Sequence, residues 1–394
     1  MRLKPILFAL FVALPATLGP ASFAEDTPQS EAAVNPRAKE LARRFIEEVL
    51  SASHIATIYE DYRRTLREVY IPALRDMVQG DVPGVPAPDA KGAAAIAKLL
   101  TFADYLRKAG DELDVALSEN REAMISDASE EIAKTATPVE IEDVAKLLKL
   151  PAVQKALDAF YAASKLLTGF SYKDSRTLAE FSAWAKGLNV DVQQMLPGAP
   201  GAPAAIPSKR KIAKAQTLVN DLLITSHLEE MIADAKHFIR DVYAESARMS
   251  EEERENLREQ ADQWEFTYNM QKAIVIAAAP SVVAAALTDE QLNTLHEFVR
   301  SPAVAKAFDL LRNAVKTGTS FTNKDISEAQ KAFDELEKKS KLKERSAEEK
   351  AKAKADWDAL IKKWTEVLKN KISPETRSGL ERSLDDLHNE GLPI

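Results

Sequence analysis

The sequence predicts an all-α fold, and three observations carry that prediction. Apolar residues recur at three- and four-residue steps, as in Phe45, Val49, Ala56, Tyr59, Tyr62, Leu66 and Val69. That spacing puts them on one face of a helix with 3.6 residues per turn. Helix starts are written out as capping boxes: Thr137 with Glu140, Ser250 with Glu253, Thr288 with Gln291 and Ser346 with Glu349. In each, the hydroxyl accepts a first-turn N–H, and the Glu or Gln side chain accepts the N–H of the cap residue. Nowhere do several short alternating runs with turn signals mark a sheet.

Taken from the N-terminus, the chain opens on Arg2 and Lys4, an apolar run from Ile6 to about Leu18, and small residues Ser22 and Ala24. This order is an export signal, with cleavage expected after Ala24 and a periplasmic or secreted destination. Pro15, Gly19 and Pro20 interrupt the run well short of the ~20 residues that span a bilayer. No later segment reads as long and apolar enough to span, so no transmembrane segment is expected after cleavage.

The body repeats itself. Ser53-His54 returns as Ser226-His227, and Arg67-Glu68-Val69-Tyr70 as Arg240-Asp241-Val242-Tyr243, both 173 positions later. Pro151-Ala152-Val153 returns as Pro302-Ala303-Val304, and Lys173-Asp174 as Lys324-Asp325, both 151 later. Two constant offsets in the same order mark an internal duplication. Their difference predicts an insertion in the first copy, and the Pro/Gly-rich stretch 77–92 supplies it. A second such stretch, 193–209, reads as the linker between copies. The expected organisation is a first helical repeat at 38–192, a second at 210–335, and a charged helical tail at 336–394. That is two tandem helical-bundle domains plus the tail.

Composition excludes several function classes. The 394-residue chain carries a net charge of −8 and no cysteine. Removal of Arg2 and Lys4 with the leader makes the body more acidic still, which argues against nucleic-acid binding. Disulfides, thiolate metal sites and cysteine lipidation are impossible. There is no G-x-S-x-G, no phosphate-binding glycine loop, no H-E-x-x-H and no G-x-G-x-x-G. No cofactor is expected.

Three clusters carry whatever chemistry there is. The repeated Ser-His pair invites a nucleophile reading, but adjacent helical residues point about 100° apart and do not face each other. Glu230, Asp234, His237 and Asp241 step by four, three and four along one helix face. Asp234-x-x-His237 has the carboxylate–histidine spacing of metal-binding helical bundles. This face is the candidate site for a metal-binding protein or hydrolytic enzyme; its other reading is a solvated charged face. In the tail, Trp357, Leu360, Ile361, Trp364, Val367 and Leu368 follow helical steps among Lys352, Lys354, Lys362, Lys363, Lys369 and Lys371. Trp357, Ile361, Trp364, Lys362 and Lys363 form a candidate interaction face, for an anionic membrane surface, a partner's groove or the protein's own second domain.

The capped helix of the second copy runs Thr288-Asp289-Glu290-Gln291-Leu292, then Phe298-Val299-Arg300-Ser301-Pro302-Ala303-Val304-Ala305-Lys306. It resembles the domain-of-unknown-function 2059 (DUF2059) family of exported bacterial helical proteins, whose pattern is a Thr-led capped helix, then Phe, an apolar residue, Ser-Pro and a Gly. The first copy matches more weakly, through Thr137 to Glu140, Leu147-Leu148 and Leu150-Pro151-Ala152-Val153. Val153 and Val304 stand where the family places its Gly. The resemblance implies a small exported helical domain and brings no catalytic residues. The function expected from all of this is a non-enzymatic module acting through protein or cell-envelope contacts.

Overall fold

The computed structural model describes residues 35–80, 89–188, 207–245, 249–341 and 347–389. Residues 1–24, half of the insertion (81–88) and most of the linker (193–206) lie outside the described residues. Every described element is helical, and no strand occurs among the described residues. The first expected repeat runs α1 (Pro36–Ala52), α2 (Ile55–Thr65), a π-helical turn (Leu66–Tyr70), α3 (Ile71–Gln79), α4 (Ala90–Thr135), α5 (Pro138–Leu148), α6 (Pro151–Thr168) and α7 (Tyr172–Gly187). The second runs α8 (Lys209–Thr225), α9 (Leu228–His237), a π-helical turn (Phe238–Tyr243), α10 (Glu251–Ala286), α11 (Asp289–Val299), α12 (Pro302–Gly318) and α13 (Asn323–Lys341). The tail holds α14 (Ala347–Lys369) and α15 (Pro374–Asn389).

The element boundaries follow the sequence offsets. Moved 173 positions, α1 falls on α8 at both ends. Moved 151 positions, α5 falls on α11 at both ends, and the last residue of α4 falls on the last residue of α10. The caps explain the agreement. Thr137 and Thr288 each accept the N–H three residues on, and Glu140 and Gln291 answer them, so both copies start this helix at the same residue.

The helices gather into two compact units that are not the expected tandem halves. Of the described residues, one unit takes 35–56, 108–154 and 324–381, and the other takes 57–107, 155–323 and 382–389. The break inside the first copy has a packing cause. The apolar face of α1 is buried against α5, through Ala38, Ala42, Phe45, Ile141 and Leu148. The π turn and α3 instead pack on α7. The 46-residue α4 supplies residues to both units, since a single helix about 70 Å long outruns one small core.

In the first unit, α14 and α15 pack along α4 through ion pairs and caps. Lys363 donates to Asp127 at 2.6 Å, and Lys371 to Glu119 at 3.1 Å. Glu112 accepts from the Ser373 N–H at 2.8 Å and from the Thr376 hydroxyl at 3.1 Å. The second unit is built on α8, which lies against α10 and α11; Ala215, Leu218, Ala284, Leu287, Leu292 and Val299 form its core.

Gly169 ends α6 in the second unit and is held there by space, not by backbone angle. A Cβ at this position would sit 2.5 Å from the Lys165 carbonyl oxygen and 2.7 Å from a Leu310 methyl. Leu310 can rotate, but the carbonyl is fixed by its hydrogen bond from the Gly169 N–H at 2.7 Å. Gly169→Ala is expected to lower stability by about 1–3 kcal/mol, the cost of overpacking a fixed site. Urea unfolding checks this, and a variant as stable as the parent contradicts the packing.

Several carboxylates lie below their usual range because cations hold them ionised. Lys363 does this to Asp127, Lys339 and Lys146 to Asp143, and Arg300 with His296 to Asp221. Burial opposes the shift at Asp174, but Lys306 and the Ser171 cap outweigh it. A carboxylate whose folded pKa is depressed contributes stability above its unfolded pKa, and that contribution is lost as pH falls through the folded value. Both units are therefore expected to lose stability as pH drops below about 4, the unfolded carboxylate value. Far-UV circular dichroism between pH 6 and pH 2 tests it, and a flat profile across that range contradicts the pairing.

Candidate interaction surface

The repeated Ser-His pair is a helix junction. His54 (φ 53°) and His227 (φ 50°) are the only non-glycine residues with positive φ among the described residues. That conformation reverses the chain between two helices and is several-fold enriched in His over most other residues. Each serine hydroxyl turns back to the helix it ends, Ser53 to the Leu50 carbonyl at 3.4 Å and Ser226 to the Leu223 carbonyl at 3.0 Å. Ser226 also accepts the Leu228 N–H at 3.4 Å and so begins the next helix. Imidazole Nε2 of His227 lies 3.2 Å from Asp309. The pair recurs because the turn recurs.

The charged row on α9 and its π turn does not converge. Glu230 pairs with Arg312, and its carboxylate lies 3.7 Å from Nδ1 of His227. His237 Nδ1 meets Asp241 at 2.8 Å, both side chains more than half exposed. Asp234 is half-buried. Two donors are short of the three or four ligands a zinc site uses. Among the described residues, no three His, Asp or Glu side chains are arranged to hold a metal ion.

The tail face divides. Leu360 is buried, Trp357 and Trp364 are half-buried, and Ile361 and Lys362 are exposed. Lys363 pairs with Asp127 of α4, and Lys339 pairs with Asp143 of α5. The basic excess of this segment thus answers acids of its own unit.

What the sequence reading passed over is α10. Ser250 caps it, accepting the Glu253 N–H at 3.3 Å while Glu253 accepts the Ser250 N–H at 2.8 Å. Glu251, Glu252 and Glu253 in the first turn suit the positive end of the helix dipole. Its N-terminal half is tied to the unit by ion pairs: Asp262 accepts from Lys236 at 3.0 Å and from Arg240 at 2.7 Å. Its last turns are tied by packing, with Pro280 and Ala284 buried.

Between these anchors the helix is bare. Trp264 is 52% exposed, Phe266 69%, Met270 49% and Ile274 57%. Val275 and Ile276 are also exposed, as are Ala273, Ala277 and Ala278. Lys272 is the one charged residue between Phe266 and Ala286, and it pairs with Glu229 of α9. The expectation that no later segment is long and apolar enough to cross a membrane is corrected here. An 18-residue window of α10 meets that standard by length and composition, with 11% of it buried. In the sequence the polar residues Asn269, Gln271 and Lys272, with Pro280, divide the run into shorter pieces, but their apolar neighbours outweigh them in the mean hydropathy.

Scattered exposed apolar residues are ordinary on a protein surface, whereas contiguous exposed apolar stretches are a feature that interaction sites share. No family model, curated protein or solved structure matches the chain.

Proposed function

We propose that this protein is an exported, non-enzymatic interaction module, built by internal duplication, that binds through the bare apolar stretch of α10. One observation carries the reading: Trp264, Phe266, Met270 and Ile274 stand exposed on a helix firmly anchored at both ends. Leaving such side chains in water forgoes roughly 1.5–3 kcal/mol each, and a partner recovers it. The polar clusters point the same way, since they form paired surface networks and not a pocket of converging groups.

The export signal at 1–24 and the absence of cysteine fit a periplasmic or secreted setting without structural disulfides. The matched boundaries of α1 with α8 and of α5 with α11 support the duplication. The shared Thr-led caps are the part of the DUF2059 resemblance that these helices use. For the tail, the Lys363 and Lys371 pairs favour docking on the protein's own first unit over a membrane surface.

The test is a photo-crosslinking amino acid at position 266 of the full-length chain in its own cells. An α10-dependent protein adduct, lost when Met270 and Ile274 are both changed to Glu, is expected. Absence of any adduct, with the fold intact by circular dichroism, overturns the reading.

A further inference from the structure

We propose that the two repeats are a fused, helix-exchanged pair, in which the last helix of each, α7 or α13, docks on the core of the other. The inference rests on the duplication proposed above and says what a repeat binds.

The two cores are one design used twice. Ala42, Phe45, Ile141 and Leu148 are buried together in the first unit. Ala215, Leu218, Leu292 and Val299, which stand 173 or 151 positions on, are buried together in the second. Each core draws on the same three elements. These are the first helix of the repeat (α1 or α8), the end of its long helix (α4 or α10) and the short capped helix that follows (α5 or α11). A helix that covers one core therefore has a counterpart placed to cover the other.

The covering helices come from the opposite repeat. In the second unit, Leu188, at the C-terminal end of α7, packs on the second core. Phe181 and Trp184 of α7 lie 5.1 and 5.9 Å, ring centre to ring centre, from Phe298 of α11. In the first unit the roles reverse. Lys339 of α13, the position 151 after Leu188, donates to Asp143 of α5 at 2.5 Å. Lysines also cross in both directions. Lys306 of α12 donates at 2.8 Å to Asp174, the acid of the α7 capping box. Lys155 of α6, 151 before Lys306, donates at 2.8 Å to the Ser320 carbonyl, in the turn that leads into α13. Reciprocal contacts between matching positions are the mark of a self-complementary pair.

The exchange accounts for the make-up of the two units. Each joins the core of one repeat to the last helix of the other, so neither unit is a tandem half. α7 also packs on α3 and the π turn of its own repeat, and so joins the two repeats within the second unit. A single repeat would leave its core open to the last helix of a second copy. Two repeats in one chain supply that copy at high effective concentration.

Carbodiimide treatment of the full-length chain condenses paired lysine and carboxylate side chains into amides. Peptides joined through Lys339 and Asp143, and through Lys306 and Asp174, should be recovered from single chains. A specific protease site placed at Gly201, between the repeats, gives a nicked chain. Its two fragments should elute together in buffer and part only in urea. Trp184→Ala should weaken their association tenfold or more, since it removes one ring of the cluster on Phe298. Lys339→Asp should weaken it severalfold, and adding Asp143→Lys should restore it, as a direct pair requires. Absence of either joined peptide, or its recovery only from chains joined to one another, overturns the proposal. So do fragments that part in buffer while each stays helical. Association that neither Trp184→Ala nor Lys339→Asp changes overturns it as well. Parting fragments leave the duplication in place, because that rests on the matched cores. Loss of the adduct at position 266 removes the α10 reading and leaves the exchange untouched.

Discussion

Leu292→Ala is expected to cost about 2–5 kcal/mol of stability, the range for emptying a buried leucine site that cannot collapse. Leu292 is 2% exposed on α11 and lies in one cluster with Leu218 of α8, Ala284 of α10 and Val299 one helical stretch on. The neighbours explain why relaxation is limited. Ala215 and Ala284 are themselves fully buried small residues, chosen where helices approach closely, and they have no side-chain length with which to fill a void. Because α10 and α11 share this core, the loss should spread beyond α11. Hydrogen exchange should speed up in α8, α10 and α11 together, with the unit around Phe45 and Ile141 little changed. A loss under about 1 kcal/mol, or faster exchange confined to α11, contradicts a shared core.

Asp61→Ala is expected to be the most damaging change of a polar residue, at roughly 2–3 kcal/mol. The Asp61 side chain is 6% exposed and accepts from Arg64 at 2.7 Å and from Lys165. Thr65 beside it donates to the Thr168 carbonyl at 3.1 Å, which ties α2 to the end of α6. Removing one partner of a buried pair leaves the other charge unanswered, a loss of about 3–5 kcal/mol when both are fully enclosed. Lys165 is 26% exposed and can reach water, so the lower figure applies. The lysine carries a second signature. Burial alone would lower its pKa, but Asp61 and Tyr161 outweigh burial and raise it. A raised lysine contributes stability that is present below its unfolded pKa, near 10.4, and lost as pH rises through the higher folded value. The parent should therefore lose stability above about pH 10.5, and the Asp61→Ala chain should lack that alkaline step. Asp61→Asn, which keeps the shape and removes the charge, separates the ion pair from packing. If Asn restores stability in full, the charge contributes nothing.

The second expected repeat shows how differently a corresponding position, 173 residues on, can be used. Asp234 stands where Asp61 does, but Phe238 replaces Thr65 and packs on Tyr243 and Phe321. A polar junction in one copy is an aromatic one in the other. The backbone device survives the exchange, since both copies keep the left-handed histidine and the π turn. Both bury residues two apart, Val69 with Ile71 and Val242 with Ala244.

Much of the architecture was legible in the sequence because it is local. A capping box satisfies its own four residues, so Thr137, Ser250 and Thr288 start helices wherever the rest of the chain lies. Apolar spacing and the two offsets are likewise properties of the chain alone, and helix type and boundaries followed from them. Exposure is not local. The same three- and four-residue spacing describes Leu360, which is buried, and Ile274, which is bare. What separates them is whether another helix arrives, and that depends on contacts far apart in the chain. The tertiary structure decided that α1 pairs with α5, that the tail's lysines meet Asp127 and Asp143, and that the Glu230–Asp241 row disperses. It also decided that the middle of α10, which by sequence looks like any core helix, is left bare among the described residues.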